Sequence, residues 1–148
     1  MAPIVESVEI ARSPEDVFAY IAELDKHGEW QSQIVSVEVE TDGPTRVGSR
    51  VSEMRRMPGA TVKSMYEITA YDPPRSASFQ VISGPVRPSG TITVEPVGDG
   101  ARSRLTLQIE FVGHGLGKLL LPLALRDARK RIPADQARLK ERLESSNS

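Results

Sequence analysis

Seven short stretches of the chain alternate apolar with polar residues, and one long stretch near the end repeats apolar residues at helical spacing. The long stretch covers residues 116–143. In it Leu121, Leu125, Ala128, Ile132, Gln136, Leu139 and Leu143 follow one another at steps of three and four, which is one face of a 3.6-residue helix. Leu120 and Ala124 widen the upper half of that stripe, while Arg129, Lys130, Arg138, Lys140 and Glu141 occupy the other side. Such a helix would be roughly 40 Å long. Gly113, Gly115 and Gly117 break the strand-like run before it. The glycines fail the phosphate-loop spacing and fit a flexible entry to the helix.

The alternating stretches are residues 4–11, 34–40, 48–57, 61–71, 76–83, 90–94 and 104–112. The last is the cleanest, with Leu105, Leu107, Ile109 and Phe111 on one side. Turn residues separate them: Thr41-Asp42-Gly43-Pro44, Pro58-Gly59, Asp72-Pro73-Pro74 and Gly98-Asp99-Gly100. Between the first two, Ser13 can cap a helix, Pro14 suits its first position, and Val17, Phe18, Tyr20, Ile21 and Leu24 form its apolar side. Residues 25–31 read as a polar connector with room for one further helical turn, and hold the only tryptophan, Trp30. The predicted order is strand, one or two short helices, six strands, long helix. Consecutive strands with short turns predict an antiparallel meander. One face must be buried, and the long helix is its natural cover. A sheet curved around one helix is a half-barrel, a shape that leaves room for a cavity.

At this point the sequence resembles the SRPBCC superfamily, also called the START-like or birch-pollen-allergen-like helix-grip fold. Within it the resemblance is to the bacterial polyketide cyclase/dehydrase-type members. It is carried by "IARSPEDVFAYIAELDKHGEWQSQIVSVEV", by "RVGSRV" entering the third strand, and by "YEITAYDPPRSASFQV". It continues in "VEPVGDGARSRLTLQIEF", in "GKLLLPLALRDARKRI" and in "ARLKERLE". It spans nearly the whole chain and implies an α+β helix-grip fold. That fold is a curved antiparallel seven-stranded sheet around a long C-terminal helix, as a single domain over residues 1–148 with 145–148 frayed. For function it implies cyclases and binding proteins alike, and it carries no catalytic residue onto this chain.

Composition narrows the classes. The net charge is −1 with both signs interspersed, which argues against a nucleic-acid footprint. There is no cysteine, hence no disulfide framework and no thiolate nucleophile. The first residues carry acids and no apolar core of signal-peptide length, so the expected location is cytoplasmic. The most apolar run, residues 119–125, is interrupted by Pro122 and is far short of the roughly 20 residues of a membrane span. Its basic continuation, Arg126 to Arg131, reads as a solvated helix face, so no stable membrane insertion is expected. Dimerisation is left open. His27 and His114 lie far apart with no cysteine nearby, so no metal site and no cofactor is expected, and both read as surface-loop histidines. His114 would sit near the mouth of the grip.

A helix-grip cavity would be walled by Tyr66, Ile68, Phe79, Val81, Ile92, Leu107 and Ile109 from the sheet and by Leu120, Ala124 and Asp127 from the helix. Trp30 would stand at its entrance. The third strand has two candidate faces. If Glu53 and Arg55 point inward they share a pocket with Tyr66, and an acid, a base partner and a phenol could polarise a keto group or move a proton. If the other face points inward, Met54 lines the pocket and the charges are solvated. Asp127 and Arg131, one helical turn apart, read as a surface ion pair. Three functions compete. The first is binding of a lipid, polyketide or isoprenoid-like molecule. The second is a cyclase or dehydratase using Glu53, Arg55 and Tyr66. The third is a protein-interaction module, which would need a large exposed apolar patch.

Overall fold

The computed structural model describes residues 3–57 and 59–145. Seven strands form one antiparallel sheet: β1 (Ile4–Ile10), β2 (Ile34–Val39), β3 (Arg50–Met57), β4 (Ala60–Asp72), β5 (Ser76–Val81), β6 (Ser89–Val97) and β7 (Arg102–Glu110). The sheet order is β1-β7-β6-β5-β4-β3-β2, so the meander from β2 to β7 closes against β1 at one edge. Between β1 and β2 lie helix α1 (Pro14–Ile21) and a 3₁₀ helix (Leu24–Glu29), and the chain ends in helix α2 (Gly117–Ser145). This is the helix-grip architecture that the strand order predicts, with element ends shifted by a few residues. Of the end expected to fray, Ser145 closes α2, and residues 146–148 lie outside those described.

Local chemistry explains the elements. The Ser13 hydroxyl accepts the Asp16 amide at 3.2 Å, and Pro14 takes the first helical position, where its missing N–H costs nothing. Register shifts near Ile34/Ser36 and Ile68/Ala70 interrupt the β2–β3 and β4–β5 ladders, and such irregularities bend and twist a sheet. Helix α2 runs through Pro122 and Pro133, each of which removes one backbone donor.

The predicted stripe of α2 is the buried one: Leu125, Ala128, Ile132, Gln136, Leu139 and Leu143 are all enclosed. Leu125, Ala128 and Ile132 pack with Ile4 of β1 and Ile109 of β7. Leu139 and Leu143 join Ile10, Val17, Phe18, Ile21, Trp30, Val94 and Leu105. A third cluster, Leu24, Val51, Tyr66, Ile68 and Val81, lies between the 3₁₀ helix and the middle of the sheet. The helix therefore packs by apolar contact along the β1–β7 side, and a space remains between it and β3–β5.

The entry to α2 is tight, not flexible. A Cβ on Gly117 would stand 1.8 Å from the Pro85 carbonyl oxygen, and one on Gly113 would meet the Gly117 backbone at 2.7 Å. The His114 amide donates to that Pro85 carbonyl at 2.8 Å, and Val86 bridges to Gly113. These glycines let the loop after β5 lie directly on the start of the helix. Leu116, just before α2, and Leu119 in its first turn are largely exposed, and Leu120 and Leu123 are half-exposed.

Candidate functional site

The space under α2 is a cavity of about 470 Å³. Its sheet wall includes Tyr66, Ile68, Phe79, Val81, Ile92, Leu107 and Ile109, and its helix wall Leu120, Leu123 and Ala124. Exposed or half-exposed wall residues mark the mouth: Gly59 and Ala60 at the β3–β4 hairpin, Pro85 in the loop before β6, and Leu120 and Leu123. Phe79 faces Gly90 across the β5–β6 ladder, where a Cβ would come within 2.8 Å of its ring. The ring meets Tyr66 edge-on, with centroids 6.0 Å apart.

The far end of the cavity is polar. On β3 the inward face is Val51, Glu53, Arg55 and Met57; Glu53, Arg55 and Met57 line the cavity. Met54 lies on the opposite parity and is not part of the wall, so its expected pocket role does not hold. The charges can face inward because each has partners. Arg55 donates through Nε to Glu53 Oε1, through Nη1 to Gln33 Oε1 at 3.3 Å, and through Nη2 to Gln31 Oε1. Gln33 passes the chain on, donating to Asp127 Oδ2 at 2.8 Å. Arg131 reaches Asp127 at 3.3 Å and Asp135 at 3.8 Å, and Asp135 accepts from the Ser32 amide at 3.2 Å. Asp127 is thus not on the cavity wall, nor is it half of a simple surface pair; it ties the helix to the segment before β2. The middle of α2 is held by this polar belt on the β2–β3 side and by apolar packing on the β1–β7 side. Buried ion pairs add little net stability, so the belt chiefly fixes where the helix stands. Burial pushes the Asp135 carboxyl up, opposed by Ser32 and Arg131, and burial together with the Arg55 charge pulls Arg131 down.

His27 is not a surface histidine. Its ring lines the cavity, with Nε2 2.7 Å from the Ile21 carbonyl and Nδ1 3.4 Å from the Tyr66 hydroxyl. A carbonyl only accepts, so Nε2 carries the proton, Nδ1 is the acceptor, and the Tyr66 hydroxyl donates to it. Burial lowers the His27 pKa, partly opposed by the Ile21 carbonyl and the Glu53 charge, which favours this neutral form. Burial raises the Tyr66 pKa and Glu53 raises it further, so the phenol keeps its proton. Trp30 packs edge-on to His27 at 5.3 Å, inside the core cluster of Leu139 and Leu143. It therefore walls the inner end of the cavity and not its entrance. Two buried atoms in this wall have no hydrogen-bond partner among the described residues: Trp30 Nε1 and Glu53 Oε2. His114 is exposed beside the loop before β6, near the mouth.

No cluster of metal-ligating side chains occurs among the described residues. None of the helices they form is long and apolar enough to cross a membrane.

A family model described as polyketide cyclase/dehydrase and lipid transport matches residues 1–144. An uncharacterised protein of Mycobacterium tuberculosis is 27% identical over 119 residues, covering 78% of this chain and 80% of its own length. Among solved structures, a protein from Thermus thermophilus superposes with a TM-score of 0.82 at 20% identity, covering 99% of each chain. The Zhui aromatase/cyclase from Streptomyces sp. R1128 does so with a TM-score of 0.82 at 16% identity over 96% of this chain and 93% of its own. A START superfamily protein from Mycobacterium smegmatis gives 0.80 at 12% identity, over 99% and 100%. At these identities the structural likeness establishes the shared fold.

Proposed function

The chain belongs to the polyketide cyclase/dehydrase and lipid transport family, and from that premise we propose that it binds one small, mainly apolar molecule in the cavity between sheet and α2. The observation that carries this reading is the cavity itself: about 470 Å³ with a mostly aliphatic wall and a few convergent polar groups at one end. The aliphatic wall accepts the body of the molecule, and the polar end fixes which way round it sits. Lipid, polyketide and isoprenoid skeletons all suit such a wall.

Native mass spectrometry of freshly purified protein, followed by solvent extraction, tests the reading. A mass adduct that yields one class of apolar compound is the expected result. A bare mass, together with failure of a panel of apolar molecules to bind, would overturn it and leave a partner protein as the better candidate.

A second reading, a cyclase or dehydratase, is favoured by one feature: Glu53, Arg55, Tyr66 and His27 share the polar end. Tyr66 and His27 form a donor–acceptor pair through which a proton could pass, and Glu53 stands close enough to influence both. In that reading the bound molecule changes mass on incubation with the protein, and Tyr66→Phe abolishes the change. An unchanged molecule leaves binding alone.

A further inference from the structure

We propose that the molecule held in the cavity ends in a neutral hydroxyl group, an alcohol or a phenol, that donates to Glu53 Oε2; this rests on the binding reading above. An arginine in an apolar cavity ordinarily suggests a carboxylate or phosphate ligand. Here Arg55 already has a partner at each nitrogen: Glu53 accepts from Nε and balances its charge, Gln33 accepts from Nη1 and Gln31 from Nη2. Arg131 is likewise committed to Asp127 and Asp135.

What remains unmet is an acceptor. The Glu53 side chain is 3% exposed and lies on the cavity wall. Oε1 accepts the hydrogen bond from Arg55 Nε, while Oε2 has no donor among the described residues. Two donors of this wall are spoken for, since the Tyr66 hydroxyl faces His27 Nδ1 and the His27 Nε2–H faces the Ile21 carbonyl. A buried carboxylate oxygen without a donor is costly, and a ligand that supplies one removes that cost. An anionic head group would bring a second negative charge against Glu53 in a poorly screened site. A methyl ether would offer no proton at all. The Trp30 Nε1–H, the other unpartnered group of this wall, can serve an acceptor elsewhere on the same molecule.

Three probes of matched shape separate the possibilities: 4-hexylphenol, 4-hexylanisole and 4-hexylbenzoate. Binding is read from the emission of Trp30, the single tryptophan, and checked by calorimetry. The phenol should bind at least tenfold more tightly than either of the others. In Glu53→Gln, where the position of Oε2 becomes a donor, the phenol-to-anisole ratio should fall to near one and the benzoate should gain. Equal binding of phenol and anisole by the unaltered protein would overturn the hydroxyl assignment and leave the cavity reading standing. Tightest binding of the benzoate would do the same and return Arg55 to the role of anion receptor. Failure of all three to bind would remove both readings together. Comparing the three probes on the unaltered protein stands whether or not the variant folds.

Discussion

Ala124 and Ala128 lie one turn apart on α2, and enlarging each should change stability in opposite directions. Ala124 lines the cavity, whereas Ala128 is fully enclosed among Ile4, Ile109, Leu125 and Ile132 and does not touch it. Ala124→Leu adds three carbons to a space of about 470 Å³. At about 0.8 kcal/mol per buried carbon the gain is about 2.4 kcal/mol. Ordering the leucine side chain costs about 0.5–1 kcal/mol. The expected net gain is about 1–2 kcal/mol, a rise in Tm of roughly 2–8 °C for a chain of this size. Ala128→Leu forces the same three carbons into a filled contact and should cost about 1–3 kcal/mol. Urea unfolding of both variants, with the slope m held common, reads the two signs directly. Ala124→Leu should also weaken binding of any probe that reaches the inner end. A loss of stability of 1 kcal/mol or more in Ala124→Leu would refute the reasoning, because it would mean that the space beside Ala124 is packed.

The helix entry and the histidine of the cavity wall carry two more predictions. Gly117→Ala places a methyl group against the Pro85 carbonyl, so the loop must leave the helix start and the bond from the His114 amide must break. The loss should be roughly 1–3 kcal/mol with faster hydrogen exchange at the His114 and Arg87 amides; a gain of the ~1 kcal/mol that helix propensity alone gives alanine over glycine would refute it. His27 is held neutral in the fold with its pKa lowered, so its contribution is full above the unfolded value of about 6.5 and is lost as pH falls below it. Stability measured from pH 7 down to pH 5 should therefore drop in the unaltered protein and drop less in His27→Gln, so that the two curves converge; parallel curves would refute the assignment.

The fold was legible because its signals are local. The α2 stripe and the alternation of β7 each repeat over enough residues to fix a face, and turn residues mark the ends of most strands. The orientation of β3 was not legible, since both of its faces carry charges and alternation offers no preference between Glu53/Arg55 and Met54. What decides it is Gln31, at the end of the polar connector, and Gln33, between the connector and the second strand, which supply the acceptors that let Arg55 point inward. His27 failed for the same reason. Its partner Tyr66 is on β4, and no pattern around either residue joins them. The one available hint was polar residues on the inner stripe of α2: Gln136 stands there among leucines, and Asp127, Arg131 and Asp135 follow at helical spacing. A stripe that should be apolar and is not marks the side on which the helix meets something polar.

The offset of α2 from β3–β5 also makes hydrostatic pressure a sensitive variable for this protein. Apolar space too poorly hydrated to hold water vanishes when the chain unfolds, and the volume so eliminated favours the unfolded state under compression. The apolar middle of the cavity, between the mouth and the polar end, is thus a mechanical weakness that compression exploits. Whatever molecule occupies it would stiffen the fold against compression in proportion to the volume it displaces, whether or not it adds much to stability at rest.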